Sequence, residues 1–201
     1  MKTTICIFGD SIAWGSSDRK KGGWVNQLRQ KLEADEESYT TLYNQGVSGE
    51  TTEDLLTRFE VESSAREPNV IIFAIGINDS LYINTDKNPY VSLEDFQLNL
   101  ERLITQAKSF TKNIVFVGLT KVDETKVKPI PWKPDKFYKN TRIEDYNSII
   151  KKIATNHEIL FIDVLDLLTS TDLSDGLHPN TEGHQKMLFA IHDSLLTNKI
   201  I

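Results

Sequence analysis

Four stretches of the chain are apolar nearly throughout, without polar alternation: Thr3 to Phe8, Val70 to Ile75, Ile114 to Leu119 and Ile159 to Asp163. Rich in β-branched and aromatic side chains, they predict strands covered on both faces, as in a parallel sheet. Thr40 to Asn44, Thr-Thr-Leu-Tyr-Asn, is a shorter strand candidate. Between them, apolar residues recur every three or four positions, the spacing of a helix with one buried face. Trp24, Val25, Leu28 and Leu32 mark a first helix ending in the acidic run Asp35-Glu36-Glu37, and Leu55, Leu56 and Phe59 mark a second, capped by Thr51 or Thr52. A third runs from Ser92 to Phe110 on Phe96, Leu100, Leu103, Ile104 and Ala107, with Ser92 as cap and Asp95 three residues on. Tyr146, Ile149, Ile150 and Ile153 carry a fourth from about Ile143 to Asn156. A short helical turn is expected over Asp166 to Thr171, and Thr181 caps a terminal helix reaching about Leu196.

Five strands alternating with helices argue for one α/β domain with a parallel sheet and helices on both faces. Its 201 residues fit a single domain over 1–201, and no internal repeat or interdomain linker interrupts them. Lys121 to Arg142 departs from the pattern, with three prolines, three aromatic residues and seven cations against three acids. Loops of that length without secondary structure are commonly functional or mobile.

Charge changes the picture little. With 26% charged residues and a formal net charge of -6, nothing in the overall balance favours nucleic acid or an anionic membrane. Cys6 is the single cysteine, which excludes an intramolecular disulfide, and its place in the first apolar run predicts a buried thiol. The chain enters its first strand directly after Met1-Lys2, with no leader pattern and no span of membrane length, so a cytoplasmic location is expected.

The chemistry begins where the first strand stops. Gly9-Asp10-Ser11 puts a hydroxyl just past a strand's carboxyl end, where open parallel sheets collect their reactive groups. A serine hydroxyl is a weak nucleophile until a base takes its proton and donors await the oxyanion. Two more predicted strand ends offer Gly46 and Asn78, and the polar loop 172–180 offers Asp175 and His178. His178 suits a general base toward Ser11, and Asp175 a carboxylate that orients the imidazole. The N–H groups of Ser11 and Gly46 and the Asn78 amide suit an oxyanion hole.

Each of these residues has a blander reading. Ser11 is also a plausible helix cap, Asp10 a residue bonding loop amides, Ser48 a rival nucleophile or a loop hydrogen-bonder, and Asp79 an Asx-type stabiliser of its own turn. Asp175, His178 and His184 have zinc-ligand chemistry, yet His184 falls inside the terminal helix without a third acidic ligand facing it, so no metal is expected. His157, His184 and His192 are expected at the surface or in packing.

Four blocks, Gly9-Asp10-Ser11, Asn44-Gln45-Gly46, Gly76-Ile77-Asn78-Asp79 and Asp175-Gly176-Leu177-His178-Pro179, stand in the order of the GDSL, or SGNH, family of serine esterases and lipases, which the chain resembles from residue 9 to 179. The resemblance implies a flavodoxin-like three-layer α/β/α sandwich with strand order 2-1-3-4-5. It also implies ester hydrolysis through an acyl-serine without a cofactor, on Ser11, Asp175 and His178, with Ser11, Gly46 and Asn78 at the oxyanion hole. Many members carry Leu and then Ser or Thr after the first block, where this chain has Ile12-Ala13-Trp14. The Gly-x-Ser-x-Gly elbow of the α/β-hydrolases is absent.

Trp14, Trp132 and Phe137 are the candidates for the substrate wall, with 121–142 as lid, wall or merely a soluble loop. The expected substrate is a small-molecule ester, with thioesters and acylated sugars as variants. Two other functions compete: an acyltransferase using the same acyl-enzyme, and a non-catalytic flavodoxin-like binding module.

Overall fold

Five strands form one parallel sheet in the computed structural model of the chain, which describes residues 3–34, 39–85 and 87–201. They are β1 (Thr3–Gly9), β2 (Thr40–Gly46), β3 (Val70–Ala74), β4 (Ile114–Val117) and β5 (Leu160–Ile162), in the order β2-β1-β3-β4-β5. The register pairs Gly9 of β1 with both Gly46 and Ala74, so three strands end level with one another.

Four helices connect them, α1 (Gly23–Glu33), α2 (Thr52–Ser64), α3 (Leu93–Lys108) and α4 (Asn140–Asn156), and α5 (Thr181–Thr197) follows the last strand. The chain winds from β1 to β2, then reverses past β1 to β3. With right-handed crossovers, that reversal puts α1 and α2 on opposite faces. The packing agrees: α1 lies against α5, while α2 lies on α3 and α3 on α4. The result is a three-layer α/β/α sandwich of flavodoxin-like strand order, and its reversal opens a crevice beyond the carboxyl ends of β1 and β3.

The core explains why these residues form these strands. Phe8, Phe73 and Phe116 sit opposite one another on adjacent strands, with ring centroids 6.2 Å apart for the first pair and 5.2 Å for the second. Phe59 of α2 packs on Phe8 at 4.8 Å and Phe73 at 5.4 Å. Each such fully buried side chain contributes about 1.5–3 kcal/mol over exposure, which fixes the face each strand turns to α2. Cys6 is buried in the same strand and burial pushes its thiol up to about 12, so it is an inert core group.

The structure corrects several expected boundaries. Residues 121–142 hold a helical turn (Glu124–Val127) and a two-residue strand (Lys136–Phe137) paired antiparallel with Tyr82–Ile83. The helix expected from Ile143 starts at Asn140. The turn expected over Asp166 to Thr171 is a 3-10 turn at Ser170–Asp172. Thr51 caps α2 in a reciprocal box with Asp54, as one of the two expected caps. Asn180 caps α5 in place of Thr181, its side chain accepting from the Gly183 N–H at 2.9 Å, and Thr181 Oγ1 instead donates to Asp18. The acidic run Asp35-Glu36-Glu37 lies outside the described residues, as does the Met1-Lys2 entry. No helix among the described residues is long and apolar enough to cross a membrane.

Candidate active site

Gly9 ends β1 because nothing larger fits: a Cβ there would lie 2.4 Å from the Ala74 carbonyl oxygen and 2.6 Å from the Ala13 methyl. The close approach lets the chain turn at once into a helical turn, Ser11–Trp14, capped by Asp10, whose Oδ1 accepts from the Ile12 N–H at 2.8 Å. Asp10 thus takes the cap, and Ser11, the first residue of the turn, is left with its side chain free for the crevice. Burial pushes the Asp10 carboxyl up to about 7, against the Ile12 hydrogen bond and the nearby His178.

The loop before α5 brings its carboxylate and imidazole to that hydroxyl. Ser11 Oγ lies 2.9 Å from His178 Nε2, and His178 Nδ1 lies 2.7 Å from Asp175 Oδ2. A carboxylate only accepts, so Nδ1 carries the hydrogen toward Asp175, and Nε2 is left as acceptor for the serine hydroxyl. The other Asp175 oxygen accepts the N–H groups of Leu177, at 3.0 Å, and His178, at 2.8 Å. Burial raises the Asp175 pKa, but the hydrogen bonds from the imidazole and the two N–H groups outweigh it and hold the carboxyl at about 2. The arrangement can take a proton from Ser11 and stabilise the imidazolium that forms.

Asn78 follows β3 and is clamped from both ends of its amide. Its Nδ2 donates to the Glu50 carbonyl at 2.9 Å, and its Oδ1 accepts the Tyr138 hydroxyl at 2.9 Å. One N–H of the amide remains, on a side chain that lines the cleft with Ser11 and His178. The Tyr138 ring is buried, which together with the nearby Asp10, Asp175 and Asp79 carboxyls raises its phenol well above the usual range and keeps it a donor. Tyr138 was not anticipated as a site residue. Its only sequence signal is its place among the aromatics of 121–142.

Gly46 is a correction. Its N–H is taken by Asn44 Oδ1 at 2.9 Å, and its Cα packs against the Trp14 backbone, where a Cβ would meet nitrogen at 2.4 Å. Gly49, three residues on, lines the cleft instead, with a positive φ of 83° and open space where a side chain would point. Its N–H has no protein acceptor among the described residues. That leaves Gly49, rather than Gly46, positioned to donate into the cleft.

Asp79 is also reassigned. Its carboxylate accepts the Thr52 N–H, 3.1 Å from each oxygen, and the Thr52 hydroxyl, so it ties the start of α2 to the end of β3. Ser48 lines the cleft but makes no side-chain hydrogen bond among the described residues, neither the expected loop bond nor one to a base.

The cleft has two lobes that share Ser16, Trp132 and His178. The smaller, about 260 Å³, runs from Ser11 past Gly49 and Asn78 to Leu81, Tyr90, Ile130 and Tyr138. The larger, about 530 Å³, lies beside His178 and Asp175, between Trp14 and Trp132. Trp132 stacks near the His178 ring, with centroids 6.2 Å apart and planes inclined by 23°. Of the three wall candidates, Trp14 and Trp132 reach the cleft. Phe137 does not: it stacks on Tyr82 at 5.3 Å, holding the two-residue ribbon closed.

The remaining histidines are packing or surface groups. His184 is buried, accepting the Trp24 N–H at Nδ1 (3.3 Å) and donating from Nε2 to the Ser16 carbonyl (3.0 Å). His157 meets Glu101 and His192 meets Asp193. No group of three or more His, Cys, Asp or Glu among the described residues is arranged to hold a metal ion.

Comparisons with known proteins point to one family. The sequence profile of the GDSL-like Lipase/Acylhydrolase family matches residues 7–186. An acetylxylan esterase of Geobacillus stearothermophilus is 28% identical over 153 residues, covering 70% of this chain and 65% of that protein. The uncharacterized lipoprotein YqeF of Bacillus subtilis (strain 168) is 31% identical over 109 residues, covering 52% and 43%. The matches thus span less than two thirds of either relative's length. Among solved structures, Axe2, an acetylxylan esterase from Geobacillus stearothermophilus, superposes with a TM-score of 0.76 at 24% identity, covering 97% of this chain and 96% of that one. LAE5, an alpha/beta hydrolase enzyme from the metagenome of Lake Arreo, Spain, gives 0.75 at 24%, covering 96% and 94%. At that identity the two structures speak for the fold.

Proposed function

The chain belongs to the GDSL-like lipase/acylhydrolase family, and on that premise we propose that it hydrolyses carboxylic esters of small acyl groups through an acyl-serine on Ser11. The observation that carries the reading is the unbroken chain from Ser11 Oγ through His178 to Asp175, at 2.9 Å and 2.7 Å.

As Ser11 Oγ bonds to the ester carbonyl carbon, its proton passes to His178 Nε2. The carbonyl oxygen becomes an oxyanion facing the N–H groups of Ser11 and Gly49 and the remaining amide hydrogen of Asn78. Asp175 holds the imidazolium in place by charge and hydrogen bond. Collapse breaks the bond to the alcohol oxygen, which leaves with the proton from Nε2. Water then attacks the acyl-serine, giving a proton to Nε2, and the second collapse returns that proton to Ser11 Oγ as the carboxylic acid departs.

Leu81, Tyr90, Ile130 and Leu177 line the smaller lobe, with Lys133 and Lys136 beside them, and this apolar part suits a short acyl chain beside the oxyanion donors. A fluorophosphonate, which forms a stable adduct with an activated serine, tests the reading. Peptide mapping should place the adduct on Ser11, and Ser11→Ala should carry none. An adduct on Ser48, or ester turnover with no adduct on Ser11, would overturn it.

A further inference from the structure

The two lobes differ in which part of the reacting centre they adjoin. The smaller contains Gly49 and Asn78, where the oxyanion forms; the larger contains His178 and Asp175 and neither of those donors. The leaving oxygen must receive its proton from His178 Nε2, so the alcohol part of an ester extends toward the larger lobe. This step rests on the esterase reading above.

That lobe is walled by two indoles that the fold leaves open. Trp14 is 58% exposed and Trp132 50% exposed, whereas Trp24, the third tryptophan, is fully buried. Two large apolar side chains kept open to water at one cleft mark a surface for binding. Neither belongs to a broad greasy patch, because the rest of the wall is polar: Ser16, Ser17, Asp18 and Arg19 line it beside Gly15 and Gly22. Arg19 is exposed and makes no ion pair among the described residues. Asp18 does not point its charge at a ligand, since its carboxylate is spent on the Lys21 and Gly23 N–H groups, Gln27 and Thr181.

The same bonds make this wall rigid. Asp18 holds the loop to α1 and α5, and buried His184 holds the Ser16 carbonyl, so the lobe is formed before a ligand arrives. A long alkyl alcohol would leave these polar groups unpaired. A ring with apolar C–H faces and a rim of hydroxyls matches flat indoles flanked by serines and a guanidinium. We propose that the larger lobe is a saccharide subsite that binds the sugar alcohol of an acylated sugar, with Trp14 and Trp132 as its platform.

Binding of unesterified sugar to the Ser11→Ala protein tests this without catalysis. Xylotriose and cellotriose are the probes, read by tryptophan emission and by protection from acrylamide quenching. Trp24 is out of contact with solvent, so the change reports Trp14 and Trp132. Saturable protection is expected, weakened about fivefold or more by Trp14→Ala and by Trp132→Phe. Both positions are half-exposed, so the variants keep the fold, which circular dichroism checks. No saturable change with either sugar, or binding that neither substitution weakens, overturns the subsite. Protection by decanoate in place of the sugars overturns it too, assigning the lobe to an acyl chain. Wild-type turnover of p-nitrophenyl acetate is measured in parallel: sugar binding without turnover defeats the esterase reading alone, and turnover without sugar binding defeats the subsite alone.

Discussion

Tyr138 donates its buried hydroxyl to Oδ1 of Asn78 at 2.9 Å, joining residues 60 positions apart in the chain. The Glu50 carbonyl, which only accepts, settles which end of the amide is which: Nδ2 faces it and has to serve both Glu50 and the cleft, while Oδ1 takes the phenol. Tyr138 is a positioning residue, acting on the oxyanion through Asn78. Tyr138→Phe keeps the ring and removes the bond, and should lower kcat by about tenfold with KM nearly unchanged. Asn78→Ala should cost about 10²–10³ in kcat. In that background Tyr138→Phe should cost nothing more, an epistasis that a purely structural role would not produce.

Asp175 holds the imidazole by one oxygen and its own loop by the other. An amide in its place can keep the loop bonds but presents N–H₂ to Nδ1, which favours the wrong tautomer. Asp175→Asn should therefore lower kcat by as much as about 10⁴ while leaving the thermal midpoint close to wild type. Steady-state kinetics beside a thermal melt checks both halves, and a large fall in stability with modest loss of kcat would recast Asp175 as structural.

Gly46 and Gly49 should separate cleanly. Gly46→Ala drives a methyl into the Trp14 backbone, so the loss should appear in the thermal melt. Gly49→Ala meets open space but must hold a positive φ, at about 1–2 kcal/mol, and any shift of its N–H should appear in kcat. Equal activity losses and equal melts for the two would remove the distinction between them.

Acid should loosen the wall of the larger lobe through His184. Burial holds its pKa below the usual 6.5, against the Ser16 bond and the nearby Asp18. The unfolded chain then binds the proton more readily than the folded one. Stability from His184 is therefore complete above about pH 6.5 and is lost as pH falls toward the depressed folded value. Asp10 and Asp79, raised by burial to about 7, act with the opposite sign, losing stability as pH rises from about 4 to 7. The difference between proteins isolates His184: melts of wild type and His184→Gln from pH 5 to 8 should converge as pH falls. Parallel curves would contradict the assignment.

The inner strands were legible because burial on both faces leaves a nearly unbroken apolar run, and Phe8, Phe73 and Phe116 sit in three of them, whereas the edge strand β2 buries only Leu42. Ser11, Asp175, His178 and Asn78 were legible because each follows such a run or stands in a polar loop. What the sequence hid turns on geometry shorter than any period. Gly46 ends β2 and Gly49 lies three residues on, and only the path of an N–H tells them apart. Asn180 and Thr181 are both good caps, and the choice fell to whichever did not meet Asp18. The ribbon of Tyr82–Ile83 with Lys136–Phe137 is too short to show alternation, so the inward place of Tyr138 and the outward place of Phe137 were invisible.

Hydrolysis of p-nitrophenyl acetate by wild type and Ser11→Ala, side by side and with matching circular dichroism, tests the central claim most directly. The account predicts saturable turnover by the wild type and a loss of about 10⁴-fold or more in the variant, whose remaining groups bind the ester without a nucleophile. Comparable rates from the two proteins would contradict it.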